Sequence, residues 1–457
     1  MARDTTDDRR IDNRDALVAW IEAGMRPRET WKLGTEHEKF PFRRADLAPV
    51  AYDGEAGIRA LLDGLRARSG WEPIFDGEAI IGLADDHGGG AISLEPGGQF
   101  ELSGAPLLDV HATKREFEAH LTDVAAVAEP LGVAFAGLGA SPKWSLAETP
   151  VMPKSRYAIM RAYMPKVGTR GLDMMFRTST VQVNLDFSSE ADMAVKMRVG
   201  LALQPLATAL FAASPFLDGK PSGFLSTRSE IWRDTDRNRT GMLPRAFEPG
   251  FGFESYVEWA LDVPMYFVKR GDTYHDATDV TFRQFMAGGL AHRLPGVVAE
   301  MGDWVNHVGT LFPEVRLKRY IEMRGADAGS KASIPALPAF WVGLLYDADA
   351  LDAASRLVAD WTAEERQALR DTAPRLGLAT PLRGRTLRDI GAEVLAIARA
   401  GLKARARLDE AGRDESVHLE MLDEIVASGK TQADRLLTDF HGAWSGNIDR
   451  VLDATAW

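Results

Sequence analysis

The chain has no cysteine among its 457 residues, so disulfides, thiolate metal sites and cysteine nucleophiles are all excluded. Any bound metal must be held by oxygen or imidazole. Basic residues are in deficit: 54 Lys and Arg against 66 Asp and Glu give a formal net charge of -12, with no basic stripe. Nucleic acid is not an expected partner, because phosphate binding draws on clustered cations. Long apolar runs are missing too. The stretch Gly200 to Phe216 is broken by Gln204 and Pro205, and reads as a buried helix rather than a membrane span. The start, MARDTTDDRRIDNRD, mixes acids with bases and lacks the apolar core of a signal peptide; a transit peptide would be acid-poor. The expected location is the cytoplasm. There is no GxxxxGK[ST], no dinucleotide context around Gly88–Gly90, no GxSxG and no well-placed Ser-x-x-Lys. A nucleotide would be held by metal and side chains, and chemistry without a covalent enzyme intermediate fits better.

What remains is ordinary globular material, 45% hydrophobic and 26% charged, with a length that allows up to about three average domains. Residues 1–12 read as a loose polar tail. Asn13 caps a helix running to Gly24, and Lys32 to Phe42 is strand-like. A helix from Asp109 towards Glu129 repeats Phe117, Leu121, Val124 and Val127 at helical spacing, and the strand VAFAGLG (133–139) follows. MMFRTSTVQVNLDF (174–187) reads as a half-buried strand, with Val181, Val183, Leu185 and Phe187 opposite Thr180, Gln182, Asn184 and Asp186. Ser189 is expected to cap the helix 190–214, with Asp192 completing a capping box. Residues 226–245 read as a loop, and RYIEMRG (319–325) as a strand. Residues 13–346 form the expected catalytic part, and 347–457 a helical part packed on the same domain. The class is α+β.

Acidic residues recur on one face of the predicted strands. Glu36 and Glu38 are two apart in GTEHEKF, so a strand points both the same way. Glu95, Gln99 and Glu101 share parity in SLEPGGQFELSG, with a bend at Pro96-Gly97-Gly98. Tyr320, Glu322 and Arg324 share a face of RYIEMRG. For any one pair a solvated strand face is the plain alternative. If the faces converge, five carboxylates share one cleft, where charges about 4 Å apart repel by roughly 4 kcal/mol at an effective dielectric of 20. Such a cluster needs cations or protons, and oxygen ligands near phosphates favour magnesium. His37 points to the other face and reads as structural. Arginines cluster in PKSRYAIMRAYMPKVGTRG (153–171), at Arg177, and in TRSEIWRDTDRNRTGMLP (227–244). Arginine suits carboxylate and phosphate, although charged loop residues are often simply solvated.

Taken together, GTEHEKF (34–40), SLEPGGQFELSGAP (93–106), PKSRYAIMRAYMPKVG (153–168), DMMFRTSTVQVNLDF (173–187), IWRDTDRNRTGMLP (231–244) and RYIEMRGAD (319–327) resemble the plant and proteobacterial glutamate–cysteine ligase family. The resemblance implies a glutamine-synthetase-like antiparallel sheet forming a catalytic funnel. It implies that magnesium and ATP activate the γ-carboxylate of glutamate as an acyl phosphate, which the amine of cysteine attacks in the first step of glutathione synthesis. By position, Glu36, Glu38, Glu95, Glu101 and Glu322 would hold the metals, with Glu38, Glu322 and Arg324 closest to the chemistry. Arg324 would stabilise the moving phosphoryl group, and Gln182 and Asn184 would lie near nucleotide or metal. Arg156 and Arg228, with Arg177 and Arg233 beside them, are assigned to substrate. A monomer or homodimer is expected, without the cysteine-pair control of plant members. The start of the sequence, unlike a plastid leader, agrees with a bacterial cytoplasmic enzyme. Two rivals remain open: a related ligase using another amine, and a binding protein without turnover.

Overall fold

In the computed structural model, which describes residues 4–457, the alternating segments pair into one nine-stranded sheet. Its strands are β1 (Leu33–Arg43), β2 (Glu72–Asp76), β3 (Ala79–Ala84), β4 (Ala91–Leu94), β5 (Phe100–Ser103), β6 (Val133–Ala136), β7 (Thr180–Leu185), β8 (Val315–Leu317) and β9 (Ile321–Asp327). The order is β8-β9-β7-β1-β5-β4-β3-β2, every neighbouring pair antiparallel. The long central strand β1 pairs with β7 and β5 through its first part and with β6 through Phe40 to Arg43.

One face of the sheet is apolar. Val181, Val183 and Leu185 of β7 and Ile321 and Met323 of β9 are buried in the largest core, against the helices Glu190–Leu210 and Ser333–Leu345. All thirteen residues of Ser333–Leu345 are buried, as expected for a helix that is apolar all round and enclosed by other elements. The C-terminal helices share this core through Leu351, Val394, Leu402 and Leu419. Among the described residues no helix is long and apolar enough to cross a membrane.

Local signals act where the polar groups demand partners. Asn13, Asp109 and Ser189 each cap the helix that follows by accepting from the N–H three residues on. The reciprocal arm at Ser189 differs from expectation: the Asp192 carboxylate accepts from the N–H of Ser188 instead, 2.8 Å away. Three further readings are corrected. Gly171–Arg177 is a short helix rather than the start of a strand, closed by the i,i+4 ion pair of Asp173 with Arg177. Thr227–Trp232, expected as loop, is a helix because Ser226 Oγ accepts from the Ser229 N–H. The polar tail is not loose where it is described. Ile11 N–H donates to Ala299 O, and the carbonyls of Arg9 and Asp7 accept from Met301 and Gly302, each at 2.9 Å.

Helices Ser333–Leu345 and Leu387–Arg405 cross at glycines. A Cβ on Gly343 would lie 2.4 Å from the Ala398 carbonyl oxygen, and one on Gly401 2.0 Å from that of Gly343. Ala for Gly ordinarily stabilises an exposed helix interior by about 1 kcal/mol. Here the sign is reversed: Gly401→Ala is expected to destabilise by about 1–3 kcal/mol through overpacking, measured by denaturant unfolding.

Candidate active site

Residues opposite one another in an antiparallel sheet share a face, so the register assembles the polar floor. Glu36 faces Gln182 on one side and Ser103 on the other, and Glu38 faces Glu101. Glu101 in turn faces Ser93, and Glu322 faces both Asn184 and Arg316. His37, Lys39, Val181, Val183 and Ile321 take the other face. Glu95 stands outside the strands, in the turn between β4 and β5, where its N–H donates to Gln99 O and its carbonyl accepts from Gly98 N–H, both at 2.9 Å. Gly98 has φ +86°, and a Cβ on Gly97 would meet the Phe176 carbonyl oxygen at 2.2 Å. Glycine is therefore required for the bend that swings Glu95 over the floor. Lys154 Nζ and Tyr157 OH both donate to the carbonyl of Leu94, at 2.6 and 2.8 Å, and fix the approach to that turn.

Glu36, Glu38, Glu95 and Glu101 line one funnel with Arg156, Gln182, Arg228, Arg316 and Arg324. Met160, Met174, Met175, Trp232 and Phe312 supply apolar walls. Glu322 is sealed beneath, fully buried, and held by cations. Arg316 donates to both of its oxygens at 2.8 Å, Lys318 Nζ lies 3.2 Å away, and Arg324 closes on Oε1. Burial alone would raise the Glu322 carboxyl, but Arg316, Lys318 and Arg324 outweigh it and hold it well below the usual range. Arg324 also donates to Gln182 Oε1 at 2.7 Å, which aims its guanidinium.

Glu101 is relieved in another way: burial would raise it, but the hydrogen bonds from Ser93 and Ser103 and the charge of Lys154 hold it below its ordinary value. The remaining three acids lack such relief. Burial, then Glu322 and Glu101, raises Glu36; burial, then Glu95 and Glu101, raises Glu38 well above the ordinary value; burial and Glu101 raise Glu95. Glu101 accepts from the Ser93 and Ser103 hydroxyls, Glu38 from the Thr180 N–H at 3.1 Å, and Glu36 from Asn184 Nδ2 at 2.8 Å. Asn184 Oδ1 is buried without a hydrogen-bond donor, as is Arg228 Nε without an acceptor. Among the described residues no three carboxylates or imidazoles are gathered around one point as a finished metal cage. The donors are nevertheless hard oxygens short of positive charge, which suits a cation that shares its shell with phosphate. A separate cavity between residues 210–213, 329–333 and the C-terminal helices contains none of these acids.

Two of the arginines assigned to substrate lie elsewhere. Arg177 is buried beside Asp173, 3.0 Å from Nε, and also pairs with Asp218, so its charge is consumed in a structural cluster. Arg233 bonds Glu230 at 2.7 Å and Asp371 at 3.1 Å, outside the funnel. Arg316 was missed by the sequence reading. Its signal lies in VRLKRYIEMRG, since a hairpin centred on Lys318 to Tyr320 sets it across from Glu322. Lys154 and Thr180 act through groups that composition cannot locate, a buried carbonyl and a main-chain N–H.

The family model described as Glutamate-cysteine ligase family 2 matches residues 32–454. The chloroplastic glutamate–cysteine ligase of Arabidopsis thaliana is 54% identical over 440 residues, covering 96% of this chain and 82% of the plant protein. Chloroplastic glutamate–cysteine ligase B of Oryza sativa subsp. japonica is 53% identical over 439 residues, covering 96% and 86%. The crystal structure of glutamate–cysteine ligase from Francisella tularensis in complex with AMP superposes with a TM-score of 0.52 at 13% identity, covering 93% of this chain and 87% of that one, a likeness of fold alone. The curated relatives are chloroplastic by name, which overturns the cytoplasmic location expected from the first residues; neither those residues nor the composition identifies a compartment. With the whole catalytic sheet inside the matched span, the chain belongs to glutamate–cysteine ligase family 2.

Proposed function

We infer that this chain joins the γ-carboxylate of L-glutamate to the amine of L-cysteine at the expense of ATP. The observation that carries this reading is the funnel of acids and arginines in a chain 54% identical to a glutamate–cysteine ligase over nearly its full length. Ligation needs a phosphoryl group moved onto a carboxylate and an acyl phosphate kept from water until an amine arrives. Each demand has a candidate residue here.

Arg324, aimed by Glu322 and Gln182, presents a fixed cation where charge builds on the transferring phosphoryl group, the arrangement that stabilises such transition states most. Arg228 donates to the carbonyl of Arg324 at 2.8 Å, and its Nε has no acceptor, which supports a role for it in receiving a substrate carboxylate. Arg156 stands at the other end of the funnel and is the second carboxylate ligand. The methionines with Trp232 and Phe312 exclude water from the acyl phosphate. Glu36, Glu38, Glu95 and Glu101, with Asn184 Oδ1 beside Glu36, would hold magnesium, and Glu322 acts in this structure by fixing Arg316 and Arg324. Bound there, magnesium supplies charge neutralisation for the ATP phosphates. The serine hydroxyls on the floor are engaged in donating to Glu101, which agrees with direct attack by the amine.

ADP release measured by a coupled assay is expected to require glutamate, cysteine and magnesium together and to cease with chelator. Preference for an amine without a thiol would reassign the acceptor. Because Glu36, Glu38 and Glu95 are each raised from their ordinary value in the folded state, their contribution to stability is complete at low pH and is lost as pH rises through the raised values. Glu38→Gln is therefore expected to cut ligation by at least about 100-fold. The same variant is expected to raise the Tm of the ligand-free protein at neutral pH by about 1–3 °C, read by calorimetry. Arg228→Met is expected to raise the KM of an amino-acid substrate by at least about tenfold, the loss of a charged hydrogen bond. Arg177→Met, which leaves Asp173 with Arg170 as its remaining cation, is expected to lower stability by about 1–3 kcal/mol and to leave substrate KM values within about twofold at a temperature where it is folded.

A further inference from the structure

The segment from Asp4 to Ile11 is bound along the helix Met301–Gly309. Its carbonyls at Asp7 and Arg9 accept from Gly302 and Met301, donors that a helix N-terminus leaves unpaired. Thr5 exchanges two hydrogen bonds with the Asn306 side chain, at 2.9 and 3.1 Å. Gly302 makes the contact possible, since a Cβ there would lie 2.9 Å from the Asp7 nitrogen and 3.0 Å from the Thr5 oxygen. At Asp4 the strap inserts a side chain, 4% exposed, among three donors. Arg156 Nη1 is 2.6 Å from Oδ1, Tyr274 OH donates to Oδ2, and Lys269 Nζ lies 4.0 Å from Oδ2. Tyr274 and Lys269 belong to the hairpin of Phe267–Arg270 and Thr273–Asp276, whose Phe267 is also part of the funnel wall.

The charge of Asp4 is thus desolvated against Arg156, the same arginine that closes one end of the funnel. A guanidinium, a phenol and an ammonium converging on one carboxylate make a recognition site whose chemistry does not depend on whether that carboxylate is tethered. We propose that Arg156, Tyr274 and Lys269 form the docking site for the carboxylate of an amino-acid substrate, and that Asp4 is a tethered occupant which the substrate displaces. The proposal rests on the ligase reading above. With Thr5 anchored, the free tether is one residue long, and a short tether gives an effective concentration in the millimolar range or higher. A free amino acid must exceed that competition, so the strap sets the concentration at which the site fills. The released aspartate leaves only its own bonds behind, because the Thr5–Asn306 bonds and the main-chain pairs at Asp7, Arg9 and Ile11 do not pass through it.

Steady-state kinetics of the full chain, with glutamate, cysteine and ATP varied separately, test this. Asp4→Ala and Asp4→Asn are expected to lower the KM of one amino acid by about threefold or more and to leave that of ATP in place, since only the tethered competitor is removed. Tyr274→Phe and Lys269→Met are expected to raise the KM of that same amino acid. The proposal is overturned if both Asp4 variants leave the two amino-acid KM values unchanged, or if the hairpin variants act on ATP instead. Arg156→Met separates the two levels of inference. If it raises an amino-acid KM while the Asp4 variants do nothing, only the tethered competitor is wrong. If it moves neither amino-acid KM, the assignment of this end of the funnel to substrate falls with it.

Discussion

Like charges held together out of water set the terms for this molecule. Glu36, Glu38 and Glu95, buried or half-buried in the funnel, stand near like charges with too few cations, while Glu322 has three cations to itself. The asymmetry divides the labour. Around Glu322 the charges are balanced and the arginines are immobile, which is what a fixed electrostatic surface requires. Around Glu36, Glu38 and Glu95 the balance is deficient, and the deficit is the capacity to bind something positive. A fold that satisfied every acid internally would be more stable and would have nothing to offer a metal–nucleotide complex.

Holding that deficit requires a scaffold that does not relax. The sheet places the acids by register, and its reverse face is locked into a core shared with the C-terminal helices. The buried helix Ser333–Leu345 lies between them, joined to Leu387–Arg405 at the Gly343–Gly401 crossing. The helical remainder contributes no side chain to the funnel floor, yet it backs the strands that carry it. Its function is to make movement of the floor expensive.

Much of this was legible because sheet geometry has period two. Glu36 with Glu38, and Glu322 with Arg324, fall on common faces from spacing alone, and β1 lies within a residue of its reading, whereas β7 begins six residues later than read because Gly171–Arg177 is helical. Helix caps were legible for the same reason, a short polar side chain before an apolar run. The arginines were less so. Nothing in the local sequence separates Arg177, which closes on Asp173 within its own helical turn, from Arg228, which reaches the funnel through a capped helix that reads as loop. The strap reads as a loose tail in the sequence because its partners, Met301 and Gly302, lie almost three hundred residues away. Main-chain pairing of that kind leaves no trace in composition.

The central strand β1 carries Glu36 and Glu38 towards the funnel and His37 and Lys39 towards the core, where Lys39 Nζ sits 2.9 Å from His120 Nε2. It is paired on both sides at Glu36 and His37, and with β5 through Glu38 and Lys39. Inserting or deleting one residue upstream would exchange the two sets wholesale, delivering an imidazole and an amine to the site and two carboxylates to the interior. Single replacements along this strand are graded in effect, but a change in its length reverses the polarity of the whole centre. Its spacing is thus constrained more tightly than its spelling.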